Sequence, residues 1–141
     1  MIVQDFTLDE YEWYVKVYYS TGNYAFDAIR RDLFSLGCSD EEVQDTLVEI
    51  SNMGYDDAKI MSNGFARRSL IIFSPSSSAD EFLDTWDHEK GHLATHICIA
   101  DNLDPYSEDY QYLTGNIGKQ MFKVTKMFLC DKCREHIYDE E

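Results

Sequence analysis

Ser78-Ala-Asp-Glu-Phe-Leu-Asp-Thr-Trp-Asp-His88-Glu-Lys-Gly-His-Leu-Ala-Thr-His96-Ile-Cys-Ile-Ala100 decides how this chain is read. Ser78-x-x-Glu81 is a capping box: the serine side chain can satisfy the N–H three residues on while the glutamate reaches back. It predicts a helix that starts after Ser78, runs through His88 and His92 and ends near Ala100. On such a helix His88 and His92 stand one turn apart on one face, about 6 Å apart along the backbone, close enough to grip one tetrahedral ion. Glu89 then sits beside that ion, where a carboxylate can take a proton from an activated water and pass it to a leaving amine. His96 lies two turns from His88, about 12 Å away on a straight helix, too far for all three rings to share one ion. It is read as a core or supporting residue.

Two shorter helices precede this one. Asn23 can cap a helix carrying Phe26, Ile29, Leu33 and Phe34, stopped by Gly37. Ser39-x-x-Glu42 is a second capping box, opening a helix with Val43, Leu47 and Ile50 inward. From Tyr11 to Tyr19 aromatic and β-branched residues alternate with Glu12, Lys16 and other outward positions, the pattern of a strand. Thr7-x-x-Glu10 leaves a helix through the same run open. Tyr55 to Arg68 is polar and reads as irregular, whereas Ser69-Leu-Ile-Ile-Phe-Ser74 reads as a short strand halted by Pro75. After a loop over Asp101 to Pro105, a last helix is predicted from Tyr106 or Ser107 through Leu129. The expected class is α+β, mainly helical with a small sheet, as one domain over residues 1–141 with a cysteine-containing tail from about 130.

A third metal donor must come from outside the motif. Glu108, in the first turn of the last helix, is the expected one; it shares a stripe with Tyr112 and Gly115, and Asp109 points about 100 degrees away. Zinc suits such imidazole and carboxylate donors.

The formal charge of −15 argues against nucleic acid, whose affinity rests on Lys and Arg. No signal peptide is visible and no apolar run approaches the roughly 20 residues of a membrane span, so a cytoplasmic protein is expected. Cys38, Cys98, Cys130 and Cys133 are expected as free or metal-bound thiols. Cys130-x-x-Cys133 with His136 could hold a structural zinc or remain free thiols. A redox role is the weaker reading, because the pair follows the last predicted helix instead of preceding one.

The residues Thr85 to Ala94 resemble the extended zincin consensus, and Glu108 with Tyr112 resembles the gluzincin arrangement of a third Glu ligand on the next helix. Lys90 departs from it, since that slot is uncharged in the zincin pattern. The whole chain resembles a family of small HExxH proteins of phages and mobile elements of gut bacteria. Leu36-Gly-Cys38, Met61-Ser-Asn63 with Arg67-Arg-Ser69, Ser76 to Phe82, His88 to His96, Glu108 to Gly115 and Phe128-Leu-Cys-Asp-Lys-Cys133 carry that resemblance. It implies a minimal zincin-like fold and a zinc peptidase acting on a protein or peptide, with His88, His92 and Glu108 on the ion and Glu89 as base. The alternative from another class is a non-catalytic, zinc-stabilised interaction protein.

Overall fold

The computed structural model describes residues 2–22 and 25–139. Strands β1 (Ile2–Leu8), β2 (Trp13–Tyr19), β3 (Ala58–Asn63) and β4 (Arg68–Phe73) form one mixed sheet in the order β1-β2-β4-β3. β1 and β2 are an antiparallel hairpin, β2 and β4 run parallel, and β3 pairs antiparallel with β4. Helices α1 (Phe26–Leu36) and α2 (Asp40–Ser51) cross from β2 to β3, and α3 (Ala79–Ala100), α4 (Glu108–Thr125) and α5 (Asp131–Asp139) follow β4. The class is α+β.

Strand alternation sorts the side chains into two cores. Trp13, Val15, Val17 and Tyr19 of β2 join Ile71 and Phe73 of β4 under α3 and α4. Tyr18, Leu70 and Ile72 point the other way, to Ile29 and Leu33 of α1 and Val43 and Leu47 of α2. A central strand buried on both faces needs apolar residues in succession, hence the unbroken Leu70 to Phe73. Lys16, on the α1 side of β2, reaches Asp32 at 3.0 Å, and the Tyr18 hydroxyl donates to the same carboxylate.

The Ser39 capping box is complete, and Ser78 makes the forward half of its own. The Ser39 Oγ accepts from the Glu42 N–H while Glu42 Oε1 accepts from the Ser39 N–H. That backbone bond holds the Glu42 carboxyl below its ordinary range, so its stabilising share is present above the ordinary carboxylate pKa and fades as pH falls through the lowered value. Ser78 Oγ accepts from the Glu81 N–H and opens α3. Ser78→Ala is expected to lower stability by about 1 kcal/mol, measurable as a fall in the urea midpoint at unchanged m-value. Gly37 ends α1 at φ 104°, a conformation that favours glycine; Asn23 lies outside the described residues.

Three expectations change. The polar stretch Tyr55 to Arg68 contains β3: as the outer strand it keeps every residue half-buried and carries Lys59, Ser62 and Asn63 without a full apolar alternation. Thr7-x-x-Glu10 caps no long helix; Thr7 ends in β1, and only a single 3-10 turn, Asp9–Tyr11, joins β1 to β2. The last helix does not reach Leu129. α4 starts at Glu108 with Ser107 before it and stops at Thr125, because Phe128 turns into the core, stacked with Tyr19 and Phe82 at 5.5 and 4.9 Å between ring centres. A separate helix, α5, then begins at Asp131.

Candidate metal centre

The inward stripe of α3 reads Phe82, Trp86, Glu89, Leu93, Ile97, at spacings of four and three. Glu89 thus occupies a position on the buried stripe, 5% exposed. Its Oε2 is buried without a hydrogen-bond partner. Burial pushes its pKa up, and the neighbouring His92 and His88 act against that shift. An unpartnered carboxylate oxygen in a core costs free energy unless a cation or proton meets it.

His88 and His92 stand on the adjoining, exposed face. Their rings meet edge to face with Nε2 2.9 Å from Nε2. One donor atom from each of His88, Glu89 and His92 lies within 4.8 Å of the others, the group among the described residues with metal-ligating character. Two nitrogens on one tetrahedral zinc stand about 3.3 Å apart, from bond lengths of 2.0–2.1 Å, so the rings need open only by a few tenths of an ångström. Converging imidazole nitrogens and an orphaned buried carboxylate fit a divalent cation.

No family model, curated protein or solved structure matches this chain.

The surroundings follow from the packing of α3 beside β3. Thr85 Oγ1 donates to the Asp56 carbonyl at 3.0 Å, the Ser62 hydroxyl meets His96 Nδ1 at 2.6 Å, and Gly64 approaches Ala100. Helix and edge strand therefore run side by side with the histidines along their seam. Asp56, Asp57, Asp84, Thr85, His88 and Glu89 line a cleft of about 300 Å³ at its upstream end.

His96 is fixed by a chain that the sequence did not reveal. Trp13 Nε1 donates to Ser69 Oγ at 2.9 Å, Ser69 and Ser62 share a bond of 2.7 Å, and Ser62 contacts His96 Nδ1. A neutral ring, with one nitrogen protonated, completes this chain through Ser62. Burial, then the nearby His92, lowers the pKa of His96, favouring this neutral form. The reading of His96 as a supporting residue fits that placement.

Lys90 does not face the histidines. It is rotated about 200 degrees from His88, with Nζ 4.5 Å from the centre of the Trp86 ring and 2.8 Å from Asp87 Oδ1. Its stem packs against Gly118 of α4. The charge that departs from the zincin pattern thus belongs to the α3–α4 contact.

Glu108 is not brought to the pair. α4 packs on α3 through Leu113, Ile117 and Met121, whereas Tyr112 is 74% exposed and Gly115 has open space where a Cβ would stand. The Glu108, Tyr112, Gly115 stripe faces solvent, and neither Glu108 nor Asp109 joins the metal-ligating group. Asp109 lies instead toward Tyr11 and Cys98, whose pKa values it helps raise after burial. The start of α4 lies beside the end of α3, where Asp109 neighbours Cys98.

Proposed function

We propose that this chain is a zinc-dependent peptidase in which His88 and His92 hold the ion and Glu89 is the general base. The observation that carries this reading is the pair of converging Nε2 atoms beside a buried carboxylate oxygen that nothing else satisfies. A bound zinc supplies Lewis acidity, activating water and polarising a carbonyl. Glu89 Oε2 is the atom free to take the proton of the attacking water, and its burial raises its basicity. The same carboxyl then protonates the departing amine.

The cleft supports a peptide substrate. β3 is an outer strand, so a peptide can lie extended along its free edge with its backbone paired, beside the histidine row. Asp56, Asp57 and Asp84 make the upstream wall acidic, which favours peptides with Lys or Arg near the scissile bond. Origin in a phage or mobile element, as the family resemblance implies, accords with a small, narrowly specific enzyme.

A second reading has one observation behind it: the Glu89 carboxylate is close enough to both imidazoles to be a ligand itself. The ion would then be structural and the acidic surface an interaction face.

Metal content per chain, measured by mass spectrometry after purification without chelators, separates the two. We expect one zinc in the wild type and in Glu89→Gln, and none in His88→Ala or His92→Ala. Hydrolysis of a peptide library rich in Lys and Arg should fall about 10²–10⁴-fold in Glu89→Gln. Glu108→Ala shows whether that acid completes the set by a movement of α4. A metal-free wild type sinks the proposal, and zinc lost in Glu89→Gln replaces it with the second reading.

A further inference from the structure

Cys130-Asp-Lys-Cys133 straddles the start of α5, and both thiols are exposed. The sequence suggested a pair trailing behind a helix; the break after Thr125 instead puts it at the head of a new one. Cys130 immediately precedes the first helical residue, and its carbonyl accepts the first intrahelical bond, from the Arg134 N–H at 2.9 Å. Its sulfur lies among the N–H groups that a helix leaves unpaired at this end. The Cys133 N–H and thiol, then the Lys132 N–H, act on it.

These contacts divide the labour between the two sulfurs. The Cys133 N–H, the Cys133 thiol and the Lys132 N–H hold the Cys130 thiol below its ordinary pKa, while the same thiol–thiol bond pushes Cys133 up. A stabilised, exposed thiolate with a reserve thiol one turn away is the arrangement that disulfide exchange needs. The donors are held in place from outside the helix. Asp131 Oδ1 accepts from the Ala79 N–H at 2.8 Å, and the buried Arg134 donates to the Ser76 carbonyl at 2.8 Å. Among the described residues no third His, Cys, Asp or Glu donor groups with the two cysteines.

We propose that Cys130 and Cys133 are a redox-active dithiol that reduces accessible disulfides, a second activity separate from the histidine site. The Cys130 thiolate attacks one sulfur of the partner disulfide; that S–S bond breaks, the other sulfur leaves as a thiolate, and a mixed disulfide forms on Cys130. Cys133 gives its proton to the departed thiolate and attacks Cys130 Sγ. The bond to the partner breaks, and the second partner thiolate takes up the proton that Cys130 had released to solvent. The partner gains two electrons, and the pair ends as an intramolecular disulfide.

Glutathione disulfide is the probe. The reduced full-length chain is mixed with it, quenched in acid, alkylated and mapped by mass spectrometry. The wild type should form the Cys130–Cys133 disulfide, reversed by dithiothreitol. Cys133→Ser should accumulate a glutathione adduct on Cys130, at least about tenfold faster than on Cys38, whose thiol burial pushes up. Cys130→Ser should lose the fast reaction. Glutathione on Cys130 no faster than on Cys38, a wild type that stops at the mixed disulfide, or thiols shielded by a zinc they hold together would each overturn the proposal.

Discussion

Zinc is expected to raise the unfolding free energy of the wild-type chain by about 2.7 kcal/mol when its free concentration is 100 times its Kd, and to leave His88→Ala unmoved. The size follows from linkage: a ligand that binds the folded chain and not the unfolded one stabilises it by RT ln(1 + [L]/Kd). His88 and His92 converge because α3 holds them one turn apart, and Glu89 reaches the same point because α3 is docked on the sheet. Unfolding removes both conditions. The metal-free chain also carries a core carboxylate oxygen with no partner, so Glu89→Gln should be more stable than the wild type without zinc, and should gain a similar increment when zinc is added. Urea unfolding followed by circular dichroism, with and without zinc, measures all three proteins. An equal shift in His88→Ala would place the ion elsewhere, and no shift in the wild type would remove it from the fold's energetics.

Phe128→Ala is expected to cost 3–5 kcal/mol, the range for removing a buried aromatic side chain. Phe128 is 1% exposed and stacks with both Tyr19 of β2 and Phe82 of α3. Little can collapse into the space it would leave, because Phe73 stacks on Tyr19 from within the same cluster. It is also the residue that breaks the chain direction between α4 and α5. Its loss should therefore slow glutathione-disulfide exchange at Cys130 by loosening the start of α5. Phe65, fully exposed in the β3–β4 turn, is the control, and Phe65→Ala should stay within about 0.5 kcal/mol of the wild type. Comparable losses at the two positions would contradict the packing described above.

The candidate site was legible in the sequence to the extent that its chemistry is local. Ser78 acts on Glu81 three residues on, and His88, Glu89 and His92 lie within four of each other, and capping and helical period are fixed at that range. The core stripe Phe82, Trp86, Glu89, Leu93 was also there to be seen, with an acid where an apolar residue belongs. Glu108 was not, since its distance from the histidines depends on where along α3 the start of α4 docks.

The sequence by itself determined α1, α2, α3, the apolar β4 and the paired imidazoles of α3, because each is written in contacts a few residues long, while it left β2 open between strand and helix. Only the tertiary structure decided that the polar segment after Tyr55 becomes an edge strand beside α3. The same holds for Trp13, Ser69 and Ser62, which orient His96 from across the sheet, and for Phe128, which ends one helix so that Cys130 can begin another. Strand pairing and aromatic stacking join residues tens of positions apart, and their free energy exists once the chain has folded, so no local pattern records them.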